Sequence, residues 1–234
     1  MRRPKWYYSV VFACLMLSVS TSTWASSYED GMHAYQNGEY EKASDIFRPL
    51  AEQGDVGSQY RLGQMYALGV LGKQDYALAA DWFHKAAVQG YALAQADYGV
   101  VLIAGFIGNP QASEGAKWIE KSAAQGNLKG RFLLADLLLA GVGVPQDMPR
   151  AYKLFFETAN EGYTESYVRL CWMYMKGTGV VKDETEGLKW LIIAADAGHP
   201  KAIKALEEYS TEITSDQYTE AERLAREWEP KQAQ

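Results

Sequence analysis

The stretch RLGQMYALGVLGKQDYALAADWFHKAAVQG, residues Arg61–Gly90, decides the fold because its pattern returns every 36 residues. Two glycine series keep this step, Gly54, Gly90, Gly126, Gly162 and Gly198, and Gly69, Gly105, Gly141 and Gly177. Trp82, Trp118, Leu154 and Trp190 keep the same step, as do Ala87, Ala123, Ala159 and Ala195. Because one step relates four independent series, the chain is predicted to be an array of one repeated unit.

Each unit is predicted to contain two helices. In the first unit these are the segments 58–68, SQYRLGQMYAL, and 75–89, DYALAADWFHKAAVQ. Apolar residues recur at helical spacing in the second segment, and Gly90 then ends it, since glycine adopts the left-handed conformation without steric cost. One position of the unit is always small and is held by Gly63, Gly99, Ala135 and Cys171. Such a position indicates close helix packing, so we expect Cys171 to be a small buried side chain.

The glycine-rich loop LAGVGVPQD, residues 139–147, has the composition of a phosphate-binding turn. Its first glycine, however, has equivalents at Gly69, Gly105 and Gly177, whereas a phosphate site is expected once. A phosphate loop also continues with Lys or Ser/Thr, and here Met148 and Pro149 follow. We therefore expect Gly141 to end the first helix of its pair and Asp147 to cap the second.

The N-terminal residues have the pattern of a cleaved signal peptide, residues 1–25. Basic Arg2, Arg3 and Lys5 precede an apolar run, Val10–Val19, which is shorter than the about 20 residues needed to span a bilayer. Cleavage is expected after Ala25, so the mature chain has no transmembrane segment and is periplasmic or secreted. The alternative is cleavage and lipid attachment at Cys14, which would anchor the protein to a membrane.

Charge and cysteine content exclude several classes of function. Without the three basic residues of the signal peptide, 20 Lys and Arg remain against 29 Asp and Glu, a net charge of −9. This balance disfavours binding to nucleic acid or to an anionic membrane. Cys171 is then the one cysteine left, so the mature chain has no internal disulfide framework.

The repeated pattern resembles the Sel1-like repeat, a relative of the tetratricopeptide repeat. It appears again as GVGVPQDMPRAYKLFFETANEG, residues 141–162, and as RLCWMYMKGTGVVKDETEGLKWLIIAADAG, residues 169–198. The resemblance implies an all-α, right-handed α-solenoid that acts as an adaptor for other proteins. Two residues depart from this pattern. Gln111 stands where the other three repeats have an aspartate, and Leu154 stands where they have a tryptophan. Cysteine-rich relatives with β-lactam-directed activity carry a cysteine pair in each repeat, which this chain lacks.

The domain organisation follows from the repeat and its weakened ends. Residues 26–55 are predicted to form an N-terminal, tetratricopeptide-like capping unit, in which the loop between the helices is four residues shorter than elsewhere. Four Sel1-like repeats occupy 56–198, at about 56–91, 92–127, 128–163 and 164–199. Residues 200–229 are predicted to form a C-terminal capping helix pair, and residues 230–234 a tail. The prediction is therefore about six antiparallel helix pairs.

No residue pattern indicates catalysis, a cofactor or a metal. His33, His84 and His199 occupy non-equivalent positions in different units, whereas a metal site needs three or four convergent ligands. The sequence contains no nucleophile motif and no nucleotide-binding motif. We therefore predict no catalytic, cofactor-binding or metal-binding residue and a non-enzymatic protein. An enzyme acting on peptidoglycan or β-lactams is the less favoured alternative.

The first helix of each pair is predicted to line the concave face of the array, by analogy with tetratricopeptide arrays. One side of these helices carries large apolar residues where a solvated surface would carry polar ones. The predicted partner-binding residues are Tyr60, Gln64, Val100, Ile103, Phe132, Asp136, Leu139, Arg169, Trp172 and Met175. Such a surface suits a protein or peptide partner, in envelope signalling or complex assembly, and the chain is expected to be a monomer. The alternative is that neighbouring helices bury these side chains.

Overall fold

A computed structural model describes residues 27–209 and 214–228 of the chain. The predicted signal peptide, its cleavage site, Cys14 and the C-terminal tail lie outside these residues. Within them every regular element is an α-helix, and there is no strand. The prediction of an all-α chain is therefore confirmed for the described part.

The described residues form twelve helices, which follow one another as six pairs. Helix α1 covers residues 27–36. The others are α2 (Tyr40–Glu52), α3 (Val56–Leu68), α4 (Tyr76–Val88), α5 (Ala92–Ala104), α6 (Ala112–Ala124), α7 (Leu128–Ala140), α8 (Met148–Asn160), α9 (Thr164–Lys176), α10 (Glu184–Asp196), α11 (Pro200–Tyr209) and α12 (Ser215–Glu227).

Helix starts repeat with the 36-residue step of the sequence. The first helices α3, α5, α7 and α9 and the second helices α4, α6, α8 and α10 each begin 36 residues after the previous one. Seven residues join the helices of these pairs, as in 69–75, and three join one pair to the next, as in 53–55. The loop between α1 and α2 covers only 37–39 and is four residues shorter than 69–75.

Polar side chains and glycines define where the helices begin and end. The caps Asp55, Asp75, Asn127, Asp147 and Asp183 each accept a hydrogen bond from the backbone N–H three residues on. Gly69, Gly141 and Gly177 end first helices in the left-handed conformation. The prediction for Gly141 and Asp147 is confirmed, so the loop between them connects two helices. Gln111 makes no such bond at the start of α6.

The chain divides into two compact units, and the first comprises residues up to Ala94. Its core contains Phe47 from α2, Leu62 and Met65 from α3, and Trp82 from α4. Helix α3 packs against both α2 and α4. A Cβ added at Gly63 would overlap the Phe83 ring, which is why this repeat position stays small.

The second unit begins at Gln95. Helices α6 to α10 each pack against the next, and α10 also packs against α11 and α12. Gly99 and Gly115 lie where α5 and α6 meet, and a Cβ on either would come within 2.6 Å of the other's carbonyl oxygen. Cys171 lies partly buried against this core, and burial raises the pKa of its thiol to about 11. Cys171 is therefore a packed side chain, as expected, but it is partly and not fully buried.

Candidate functional site

The predicted binding face is only partly exposed, and Tyr60 is the clearest correction. Tyr60 is 3% exposed, and its ring lies 5.8 Å from that of Phe83 and 5.1 Å from that of Tyr91. Its hydroxyl accepts a hydrogen bond from Gln64. The expectation that Tyr60 lines an exposed surface is wrong, because this position of α3 points towards α4.

Several other predicted residues are held by neighbouring helices. The Phe132 ring lies 5.5 Å from that of Phe155 and 5.1 Å from that of Tyr163. The predicted residues that are partly buried against the core of the second unit are Val100, Ile103, Phe132, Leu139 and Met175. The alternative considered from the sequence, burial by neighbouring helices, therefore describes most of this set.

Helix α9 has one solvent-facing row of side chains, which we call the α9 stripe and which consists of Glu165, Arg169, Trp172 and Lys176. These residues are spaced by three or four and therefore lie on one side of the helix. The indole of Trp172 is 44% exposed. The equivalent positions in the other repeats hold Gln64, Val100 and Asp136, all of which are less exposed. At this position of the first helices, a large exposed aromatic side chain is found only in the fourth repeat.

Charged groups join the α9 stripe to helix α7. Arg169 Nε donates to Asp136 at 2.8 Å, and the Arg169 guanidinium lies 5.9 Å from the centre of the Phe132 ring. Burial raises the pKa of the Asp136 carboxyl, which Arg169 partly offsets. Lys176, in contrast, has no ion-pair partner in the part of the chain that the structure describes. The stripe therefore presents an indole beside one unpaired cation.

The predicted binding residues include Arg169 and Trp172 of this surface but not Glu165 or Lys176, because the predicted face was rotated by about one residue. The position of Tyr60 is buried in α3 and α5 and partly buried in α7 and α9. The next position is held by Arg61, Asp97 and Arg169, of which Arg61 and Asp97 are partly exposed and Arg169 is exposed. The signal was present, since three of the four repeats carry a charged residue there. Ion pairs between repeats use this position, as in Lys129 with Asp97 and Arg169 with Asp136.

Among the described residues, no group of three or more His, Cys, Asp or Glu side chains could hold a metal ion. His33 and His84 are exposed, and His199 lies at the start of α11. Tyr152 and Tyr174 join α8 to α9 through a 2.7 Å hydrogen bond between their hydroxyls, which is a packing contact.

Paired helices repeated at one spacing, with small residues where they cross, define the class of tetratricopeptide-like helical repeat proteins. The model of the Sel1 repeat matches four segments, 56–91, 92–127, 129–163 and 164–199, which together are more than half of the 234 residues. The chain therefore belongs to the Sel1 repeat family. Comparison with curated protein sequences gives no significant match.

Solved structures confirm the fold class. The chain is similar to c5321, a protective antigen with an SLR fold from uropathogenic Escherichia coli, at 27% identity and a TM-score of 0.77 over 89% of this chain. It spans 46% of that protein's length. A Sel1 repeat protein from Oxalobacter formigenes matches at 24% identity and a TM-score of 0.74, over 88% of this chain and 86% of that one. The predicted all-α solenoid of helix pairs is confirmed by these neighbours.

A third neighbour is more distant. The immunity protein Pa5087 from Pseudomonas aeruginosa has 16% identity and a TM-score of 0.57, over 87% of this chain and 78% of that one, and shares the fold alone. In residues 27–209 and 214–228, no helix combines the length and the apolar character needed to cross a bilayer.

Proposed function

We propose that this protein is an exported, non-enzymatic adaptor that binds a protein or peptide partner through the α9 stripe. The exposed indole of Trp172 carries the proposal. Tryptophan and arginine are enriched among the residues that dominate binding energy at interfaces. Trp172 lies on the same helix as Arg169, which is paired with Asp136 of α7. The unpaired Lys176 favours a partner that places a carboxylate beside an apolar group.

A Trp172→Ala variant tests the surface in a crosslinking pull-down from an envelope extract of the native bacterium. Removal of a dominant interface tryptophan costs about 2 kcal/mol or more, which is about a 30-fold loss of affinity. We expect the captured partner to be lost at limiting bait concentration. Phe106→Ala is the matched control, because Phe106 is also an exposed aromatic side chain, 50% exposed, in a different repeat.

Both variants should keep the helical circular dichroism of the wild-type protein. Equal loss of capture in both variants would indicate a general effect of reduced surface apolarity. Unchanged capture by Trp172→Ala would place the partner elsewhere on the chain. Either result would contradict the proposal.

Export and a role in envelope signalling or complex assembly are part of the same proposal. The supporting observation is the N-terminal sequence, with a basic start, the apolar run Val10–Val19 and small residues before Ser26. The similar Escherichia coli protein is described as a protective antigen.

Intact-mass measurement of the processed protein separates the two forms of export. A mass that corresponds to a start at Ser26 supports a periplasmic or secreted protein. A lipid-modified mass beginning at Cys14 would instead support a membrane-anchored assembly factor.

A further inference from the structure

A cavity in the second unit lies where the repeat departs from its own pattern. Its volume is about 370 Å³, and it is lined by residues of α6, α7 and α8. The lining residues are Glu120, Ala123, Ala124, Arg131, Leu134, Arg150 and Leu154. Leu154 is the leucine that replaces the tryptophan of the other three repeats. The cavity therefore coincides with the loss of an indole.

The fourth repeat shows what normally fills this place. Trp190 stands 36 residues after Leu154 and is fully buried. Its ring lies 6.0 Å from the ring of Phe156 and stacks on that of Tyr167 at 6.0 Å. Phe156 and Tyr167 are the equivalents of two lining residues, Glu120 and Arg131. The same position between three helices thus accommodates an indole in this chain.

In the second repeat the tryptophan has an aromatic neighbour on the first helix. In the second repeat, Trp118 packs edge-on against Tyr98, with ring centres 5.6 Å apart. The equivalents in the third repeat are Leu154 and Leu134, both of which line the cavity. Leucine is the usual residue at the Leu134 position, since Leu62 and Leu170 hold it in the first and fourth repeats. The aromatic ring missing from the third repeat is therefore the one at Leu154, and both leucines leave the lining apolar.

The lining of the cavity contains two guanidinium groups, and one of them is already in an ion pair. Arg131 is paired with Glu161 through Nη2 at 2.7 Å, but its buried Nε has no hydrogen-bond acceptor among the described residues. Arg150 has no ion-pair partner in the described part of the chain, and Glu120 is the one carboxylate of the lining. Two guanidinium groups with free donors favour an occupant that carries a carboxylate.

We propose that this cavity binds an aromatic side chain of a polypeptide partner, with a carboxylate beside the ring. The ring replaces the missing indole against Leu134 and Leu154, and the carboxylate accepts from Arg131 and Arg150. The size agrees, since a cavity of about 150 Å³ already holds benzene. The site is formed by α6, α7 and α8 and does not include the α9 stripe. The proposal rests on the proposed function in one respect, that the occupant belongs to a polypeptide partner.

The test is a titration of the ¹⁵N-labelled protein with N-acetyl-L-tryptophan, followed by NMR. We expect weak, saturable binding with amide shifts at Ala123, Ala124, Arg131 and Leu154. N-acetyl-L-tryptophan amide, which lacks the carboxylate, should bind several-fold more weakly, and N-acetyl-L-leucine should not saturate. An Arg150→Gln variant should reduce the preference for the carboxylate over the amide. Because the probe is defined, the result does not depend on whether Trp172 contacts a partner.

Filling the cavity from within gives the decisive variant. Leu154→Trp restores the residue found in the other repeats and should weaken binding of N-acetyl-L-tryptophan at least tenfold. It should also raise Tm, because the added indole fills space that is now empty. Val181→Trp is the matched control, since it adds a tryptophan at a side chain that is 85% exposed, and its binding should equal that of the wild-type protein.

Binding to Leu154→Trp at wild-type affinity would overturn the proposal. Amide shifts that map outside the α6 to α8 region would do the same. If Leu154→Trp does not fold, as judged by circular dichroism, the map of amide shifts on the wild-type protein decides alone.

Discussion

At the scale of single residues, two glycines allow a backbone approach between repeats. Gly143 has φ +71°, and a Cβ added there would overlap the carbonyl oxygen of Ala112 at the start of α6. A Cβ added at Gly179 would likewise lie 2.6 Å from the carbonyl oxygen of Met148. The two preceding loops have Leu71 and Ile107 at this position. The loops of one repeat family therefore differ in how closely they contact the preceding repeat.

Gly143→Ala should be considerably more destabilising than Gly162→Ala. Both glycines have positive φ, so each substitution incurs the left-handed penalty of about 1–2 kcal/mol. Only at Gly143 does the new Cβ meet backbone, whereas nothing lies within 4 Å of it at Gly162. We expect the free energy of unfolding, measured with urea, to fall by at least about 1 kcal/mol more for Gly143→Ala. Equal losses would show that the contact with Ala112 does not limit this loop.

Cys171 should react slowly with thiol reagents in the folded protein. Burial raises the pKa of its thiol from 9.0 to about 11, so at pH 8 the thiolate is about 100-fold rarer than for an unperturbed thiol. In a Cys14→Ser background, labelling at pH 8 should be at least about 100-fold slower than in urea. The rate should rise about tenfold per pH unit until the pH approaches 11. Similar rates in buffer and in urea would contradict the burial of this thiol.

At the scale of helices, the caps distinguish the second helices from one another. Asp75, Asp147 and Asp183 each accept a backbone hydrogen bond at the start of α4, α8 and α10. Gln111 occupies the equivalent place before α6 and makes no such bond. The N-terminus of α6 therefore lacks the capping carboxylate that the other three second helices have.

Gln111→Asp is expected to stabilise the protein. An aspartate at this place can accept from the backbone N–H three residues on and is also favoured by the helix dipole, so we expect a gain of about 1 kcal/mol. Asp147→Ala should cause a loss of similar size at α8. Thermal unfolding of the two variants and the wild-type protein measures both. A Tm of Gln111→Asp at or below the wild-type value would show that another feature of this loop prevents capping.

At the scale of the whole molecule, the second unit is closed by its last helix. Trp228 follows α12, and its ring lies 5.2 Å from that of Trp190 and 5.4 Å from that of Tyr167. Helix α12 also packs against α10. Trp228 and α12 therefore pack directly against the fourth repeat.

Trp228→Ala should destabilise the protein, whereas Trp172→Ala should not. Each edge-on aromatic contact contributes about 0.5–1.5 kcal/mol beyond the buried area, so the loss of two should cost about 2 kcal/mol in the free energy of unfolding. Trp172 is the control, because its indole is largely exposed. Urea unfolding followed by circular dichroism compares the two. The role of Trp228 would be contradicted if both variants unfolded at the same urea concentration as the wild-type protein.

The candidate surface could be located from the sequence only to within one residue along each first helix. The 36-residue step identifies which positions are equivalent, but a rotation of about 100° per residue separates Tyr60 from Arg61. Both positions carry large side chains in α3, so composition alone does not assign the buried one. The contact of Tyr60 with Phe83 depends on where α4 packs, and only the three-dimensional arrangement shows it.

The sequence by itself determined the repeat, the pairing of helices, their ends and the Sel1 family, because these depend on local spacing and on glycines and caps within one unit. The tertiary structure alone decided which side of each first helix is exposed, that Trp172 projects into solvent, and that Leu154 leaves a cavity beside Arg131 and Arg150. These features depend on contacts between side chains of different helices, which the sequence of one repeat does not specify.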